Sequence, residues 1–464
     1  MKKSLLGSIV FLGIVLFVGC ATSKVNMEKI LSTVGINGIP LPYSVLRNDL
    51  IDVNTNQAFE IRNGGFGSDM VAHPSKSNEF YALTDRGANA NFTGEQGKGK
   101  IFPTPNYVPR IGHFRLTEKG SIELIKEILL KREDGTPISG LPNSSALGGT
   151  GETPYDANGN VIRLDMSKPF DEKTNPIKLD DYGLDGEGLV ALSDGSFWVS
   201  DEYGPHIVHF DKNGVEIDRI NAFSTDKRSN LKLPTEFTNR RANRGMEGLA
   251  ASVDEKMLVG IMQSTMHNPS SKVKNLNLTR IVTVDLETGN IGQYIYKQEK
   301  NQNSNSGIVA ISEGKFFLIE RDGAFLKGGP LEANPKAQKH IYEIDIRTGT
   351  NLEDIKDNGV LMQNNSLGLT IEGKTLEEYV FENGWNALQQ HNIKPVSKRI
   401  IADMVKKVQY PHDKMEGLWV IDNKHIGVIN DDDFATWSTA GKLHSKTLGN
   451  GKIDSNILYI IDIE

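Results

Sequence analysis

The sequence predicts an all-β fold on three observations. Short apolar runs alternate with polar residues at period two, turns built on Gly, Asn and Asp recur between them, and one strand pattern repeats along the chain. Each repeat opens on an acidic or hydroxyl residue, most often as Glu-Gly-Leu. It continues through a strand, a turn and a second strand that ends in acidic or amide side chains. Asp69-Met70-Val71 leads to Asp85-Arg86, Glu187-Gly188-Leu189 to Asp201-Glu202, and Glu247-Gly248-Leu249 to Gln263. Ser306-Gly307-Ile308 leads to Glu320-Arg321, and Glu416-Gly417-Leu418 to Asn430-Asp431. A third strand follows at 111–114, 207–211, 281–285, 341–345 and 458–462, and a fourth fits at 121–130, 215–220 and 290–296. Three or four antiparallel strands per unit, repeated five times, spell a β-propeller. A degenerate sixth unit has room at 142–182 or near the N-terminus, so the expectation is six blades. The last repeat stops after its third strand, which calls for an outer strand from the N-terminal region, for example within 45–61.

The ends and insertions complete the organisation. Lys2 and Lys3 precede an apolar run at 5–18, the pattern of an export signal over 1–19. The run is too short for a comfortable membrane span. Gly19-Cys20 resembles a bacterial lipobox, with Phe17 where leucine is usual. That resemblance implies lipidation at Cys20, a tether over 20–40, a domain over 41–464, and an exported protein anchored to the cell envelope on its periplasmic or surface side. One insertion, at about 141–182, is rich in Gly, Pro, Asn and Asp and reads as a loop. A second, at about 366–412, shows helical periodicity over 375–393 and 397–408.

Composition narrows the function. The 464 residues are 38% hydrophobic and 24% charged, as in an ordinary globular chain. A net charge of −7 excludes a nucleic-acid binder, which needs a basic excess. The single cysteine excludes a disulfide framework or a thiolate zinc site.

In an antiparallel hairpin the start of the first strand lies beside the end of the second. The repeat therefore gathers its acids on one face, around a central channel. Acids packed together need a cation, a proton or hydrogen-bond donors. Oxygen ligands without cysteine or a histidine cluster suit Ca²⁺ or Mg²⁺. On this reading Asp69, Asp85, Asp201, Glu320, Asp431 and Asp432 hold the metal, and Glu187, Glu202, Glu247 and Glu416 act on the substrate. Arg86, Arg244 and Arg321, with His206 beside Asp201-Glu202, face a small anionic substrate such as a phosphate ester. A competing reading makes the acids staples that accept N–H groups of the neighbouring blade, in a non-catalytic surface module for a glycan, peptide or protein partner.

The runs Asp185-Gly186-Glu187-Gly188-Leu189 and Phe197-Trp198-Val199-Ser200-Asp201-Glu202-Tyr203-Gly204-Pro205 resemble the phytase-like, "esterase-like activity of phytase" family. So do Asn243-Arg244-Gly245-Met246-Glu247-Gly248-Leu249-Ala250, Glu320-Arg321-Asp322 and Leu83-Thr84-Asp85-Arg86-Gly87, and the likeness spans about residue 59 to the C-terminus. The resemblance implies an exported propeller with phosphoesterase or esterase activity and names no substrate. The calcium-site motifs of the well-characterised β-propeller phytases are not seen in this sequence, so the resemblance does not extend to phytate.

Two motifs are set aside. Residues 368–375 satisfy the P-loop pattern, but Ile371 and Glu372 are bulky and anionic where a phosphate cradle needs small residues, so a turn with Thr375 capping a helix is expected. No serine lies in a Gly-x-Ser-x-Gly elbow, which disfavours a serine esterase.

Overall fold

The computed structural model describes residues 26–463. The export signal and Cys20 lie outside the described residues. Five antiparallel sheets dominate. The first holds Asp69–Ala72, Glu79–Leu83, Arg110–Leu116 and Ile122–Leu129, and the second Gly186–Ala191, Phe197–Asp201, His206–Phe210 and Glu216–Asn221, with Ser229–Lys232 added in parallel. The third holds Met246–Ala251, Met257–Met262, Leu278–Asp285 and Ile291–Lys297. The fourth holds Ser304–Ser312, Lys315–Arg321, Lys339–Asp345 and Ser397–Asp403, and the fifth Gly417–Val420, His425–Ile429, Ile457–Asp462 and Ile39–Pro40.

Each sheet buries both faces, which explains strands as apolar as Phe197-Trp198-Val199. Alternate side chains pack against the preceding and the following sheet. Leu83 and Ile111 meet Leu189 and Val199, Trp198 and Ile207 meet Leu249 and Leu258, and Val259 and Ile281 meet Leu318 and Ile344. Ile319 and Ile341 meet Leu418 and Val428, and Phe80 and Phe114 meet Trp419 and Leu458. These five interfaces run from first sheet to second and so on, and from fifth back to first, a closed propeller-like order.

The innermost strands crowd at the centre, and glycine is what lets them do so. A Cβ on Gly188 would lie 2.6 Å from the Leu249 nitrogen, and one on Gly417 would lie 2.7 Å from the Met70 nitrogen. Gly248 and Gly307 abut the next inner strand just as closely, at Ser306 and Glu416. The glycine after each acidic residue is therefore a requirement of close approach.

Three expectations change. The described residues form five such sheets, not six, because 142–182 carries little beyond the short strand Thr153–Tyr155 and isolated bridges. The N-terminal strand that completes the last sheet is Ile39–Pro40, pairing with Ile457 and Leu458. The segment 45–61 instead forms its own hairpin, Ser44–Ile51 with Ala58–Asn63. Ser397–Asp403 is the outer strand of the fourth sheet rather than helix, its period-two contacts with the neighbouring strand outweighing its helical pattern. The insertion is helical at Leu376–Asn383 and Asn386–Gln389, with Thr375 closing a capping box with Glu378, and the end of the second helical stretch stands as Met404–Val408. The fully buried Arg280–Glu377 pair, at 2.8 Å, ties it to the third sheet. Among the described residues no helix is long and apolar enough to cross a membrane.

Candidate functional site

Two features of the chain aim side chains at the centre. Register shifts fall between Gly186 and Gly188 and between Met246 and Gly248, so Glu187 and Glu247 each occupy a β-bulge that turns the side chain out of the normal alternation. Two inserted hairpins also reach over the centre: Ala90–Gly94 with Gly97–Ile101, and Thr436–Thr439 with Lys442–Ser445.

They enclose a cavity of about 340 Å³. Its acidic lining is Asp85, Asp185, Glu187, Glu202, Glu247, Glu416 and Asp433, and its basic lining is Arg86, Lys100, Arg244, Arg321 and Lys414. Seven carboxyl groups face five cations, so the acids outnumber the cationic partners the cavity supplies.

The acids are linked. The Gln263 amide donates to Glu202 at 2.5 Å and to Glu247 at 2.8 Å. Arg321 donates to Glu416 and lies 3.8 Å from Glu247. One oxygen each from Asp185, Glu187 and Glu202 lie within 4.8 Å of one another, all three residues being buried. Asp185 Oδ2 and Glu416 Oε2 are buried without a hydrogen-bond partner. Burial, reinforced by Glu247, Asp185 and Glu202, drives the Glu187 carboxyl well above the ordinary range. Burial likewise pushes Glu416 up to about 8 although Arg321 and Lys414 oppose it. Asp85 is raised by burial and by Asp431 and Asp185.

The four glutamates Glu187, Glu202, Glu247 and Glu416 thus line one cavity with Asp85, Arg86, Arg244 and Arg321. The other expected site residues do not. Asp69 accepts from the backbone nitrogens of Leu189 and Met70, both at 2.8 Å, and staples the first sheet to the second. Asp201 accepts from Gly204, His206 and Asp185 nitrogens and fixes its own loop. Strand alternation turns Glu320 away from its neighbour Arg321, to the Tyr296 hydroxyl at 2.7 Å and Lys398 at 2.9 Å. Asp432 accepts from the Phe434 nitrogen. Asp431 stands behind the wall, 2.5 Å from Lys414. His206 is fully buried beside Phe223, its Nε2 facing the Leu147 carbonyl at 3.2 Å, and burial keeps it neutral.

Sequence reasoning missed Lys100, Lys414 and Asp185 as site residues. Asp185 stands two residues before Glu187, a spacing that was visible. Lys100 sits in Gly97-Lys98-Gly99-Lys100, which reads as a solvated turn. A separate grouping of His73, Glu79 and His113 lies on the first sheet, but Glu79 is already taken by Arg115 at 2.7 Å, Lys76 at 2.9 Å and His113 at 2.6 Å.

A ring of sheets around a polar, mixed-charge cavity is the form of a propeller-like protein. The chain belongs to the phytase-like family, "esterase-like activity of phytase", whose model matches residues 61–434. A relative described as an uncharacterized secreted protein, from Arthroderma benhamiae, is 29% identical over 250 residues, covering 43% of this chain. The match spans 45% of that relative's length. Among solved structures, a Lactobacillus plantarum protein is 10% identical with a TM-score of 0.30, covering 89% of this chain and 94% of the other. The PQQ-bound aldose sugar dehydrogenase of Streptomyces coelicolor is also 10% identical with a TM-score of 0.30, covering 92% and 100%.

Proposed function

We propose that this is an exported five-bladed propeller hydrolase that cleaves phosphate esters in the central cavity with the help of Ca²⁺ or Mg²⁺. The observation that carries the reading is the set of seven carboxylates and five cations drawn from all five sheets and one roofing hairpin into a single cavity. The family is named for esterase-like activity, and the Arthroderma relative is described as secreted. An anchor through Cys20 fits the same reading.

The residues suit a hard cation. Asp185, Glu187 and Glu202 converge, with Arg86 3.2 Å from Asp185, and among the described residues no soft ligand joins them. They would hold the metal, which when bound supplies charge neutralisation and a more acidic water. Glu416 keeps a proton near neutral pH on a carboxyl whose Oε2 is unpartnered, so it is the group that delivers a proton to a departing alkoxide. Arg321 fixes its orientation through the other oxygen. Gln263 fixes the Glu202–Glu247 pair, and the two hairpins supply Lys100, Thr436 and Trp437 to the cavity wall.

The test is a panel of phosphate and carboxyl esters with the purified protein, with and without calcium. Calcium-dependent phosphate release that fails in Glu416→Gln supports the reading. Hydrolysis of carboxyl esters alone would overturn the phosphate assignment, and hydrolysis of neither would leave a binding module.

A further inference from the structure

The ring of sheets has two faces, and the chain enters it from one of them. The cavity is lined from the start of each inner strand and the end of each second strand, as at Glu187, Glu202, Glu247 and Glu416. The turns that join those two strands, at 73–78, 192–196, 252–256, 313–314 and 421–424, therefore make up the opposite face.

The helix Met27–Leu31 lies on that opposite face. Its Ile30 is fully buried and packs with Ala72, Leu116, Ile122 and Ile421, all at or beside strand ends remote from the cavity. Lys29 lies 3.7 Å from Glu118 in the turn between the third and fourth strands of the first sheet. Leu31, Val34 and Ile36 share a hollow with His425 and Asp462, which pair at the remote end of the fifth sheet. From there Ile39–Pro40 runs along the edge of the fifth sheet toward the cavity side, Ile39 opposite Leu458 and Pro40 opposite Ile457.

Asn26 caps the helix, and Cys20 precedes it by six positions, at most about 20 Å of extended chain. A strand such as Arg110–Leu116 spans about that distance from one face of the ring to the other. An anchor at Cys20 therefore reaches the face that carries Asn26 and not the cavity side. Two apolar side chains on that face, Ile36 and Val253, are 70% and 66% exposed, which suits a surface that meets lipid headgroups. Its turns carry both signs of charge, as at Lys76, Asp254, Lys256, Asp422 and Lys424, and not the basic cluster that seeks anionic lipid. Attachment thus falls to the lipid at Cys20.

We infer that the face built from these turns is a membrane-apposed surface whose partner is a lipid bilayer. The cavity is then held away from the membrane, toward molecules dissolved in water and out of reach of esters embedded in the same bilayer. The inference rests on the anchor proposed at Cys20 and is independent of the hydrolase reading.

Energy transfer from a dye on the protein to a headgroup-labelled lipid tests it, with the lipidated protein purified from membranes and reconstituted into phosphatidylcholine vesicles. Cys20 is the only cysteine and, once lipidated, offers no thiol, so dye goes to an introduced cysteine. Asn423→Cys and Val253→Cys report the turn face from the fifth and third sheets. Glu95→Cys and Asn301→Cys report the cavity side, from a roofing hairpin and from the approach to the fourth sheet. All four residues are exposed, so the fold should accept the changes. Transfer should be stronger from the first pair than from the second, by a difference in depth of about 20 Å, the height of the sheets. Equal transfer from both pairs, or stronger transfer from Glu95→Cys and Asn301→Cys, would overturn the inference. So would a protein that stays in the water phase because Cys20 carries no lipid. Ester hydrolysis is read separately. A protein oriented this way that hydrolyses nothing keeps its membrane face and loses the hydrolase reading; a hydrolase whose cavity side lies nearer the bilayer does the reverse.

Discussion

Two sets of acids carry the same sequence signature and meet opposite fates. Asp69, Asp201, Asp432 and Glu320 spend their oxygens on backbone nitrogens, a tyrosine or a lysine. Glu187, Glu202, Glu247 and Glu416 face the cavity, where their surroundings are mostly other carboxylates. Side-chain length and donor supply make the difference. The short Asp69 carboxyl reaches the Leu189 nitrogen across the sheet boundary, while Glu187, one carbon longer and set on a bulge, meets no donor among the described residues. A carboxylate whose hydrogen bonds are complete holds the fold together. One left incomplete is free to hold something else.

The largest effect should separate the sets by activity. Glu416→Gln is expected to lower kcat on a phosphate monoester by about 10²–10⁴-fold, the usual range for a lost proton donor, while Glu320→Gln changes it by less than about threefold. Comparable losses in both would erase the distinction.

Stability should divide them the other way. Asp69→Ala orphans two buried backbone nitrogens and should cost about 2–4 kcal/mol in urea denaturation. Glu187→Gln replaces a carboxyl whose ionisation burial and its acidic neighbours oppose with a neutral amide and, without divalent cation, should raise stability by up to about 1 kcal/mol. A Glu187→Gln protein as unstable as Asp69→Ala would mean that Glu187 is a staple too.

The pH dependence sharpens the comparison further. Glu416 is pushed up to about 8, and Glu187 and Asp85 move the same way. Burial lowers His73, His113, His206, His209, His267 and His340 and gives the opposite slope up to the ordinary histidine range, so it is between that range and about pH 8 that the folded state binds more protons than the unfolded. Stability without metal should therefore fall as pH rises through that window, by about 1.4 kcal/mol per pH unit for each such proton, and calcium should flatten the slope. A rising slope would contradict the burial that sets these groups. The smallest effect is Lys374→Met in the P-loop-like segment. Lys374 pairs only with Glu382 on the surface, so no change in Tm or in activity is expected.

Much of this was legible. The Glu-Gly-Leu repeats located the inner strands of three sheets, and their glycines lie against the neighbouring inner strand as close approach demands. Other parts were hidden for physical reasons. Bulges at Glu187 and Glu247 leave no mark in a period-two pattern, yet they decide where those side chains point. Glu320 and Arg321 are adjacent, and only the strand's phase tells which one reaches the centre. Lys100 belongs to an inserted hairpin whose sequence resembles any exposed turn, so its place over the cavity is a tertiary fact.

Calcium titration by calorimetry, on the native protein and on Glu187→Gln, addresses the convergence of acids on one cation most directly. The native protein should bind calcium at one site, and the variant should lose that binding while remaining folded. No binding by the native protein, or equal binding by both, would contradict it.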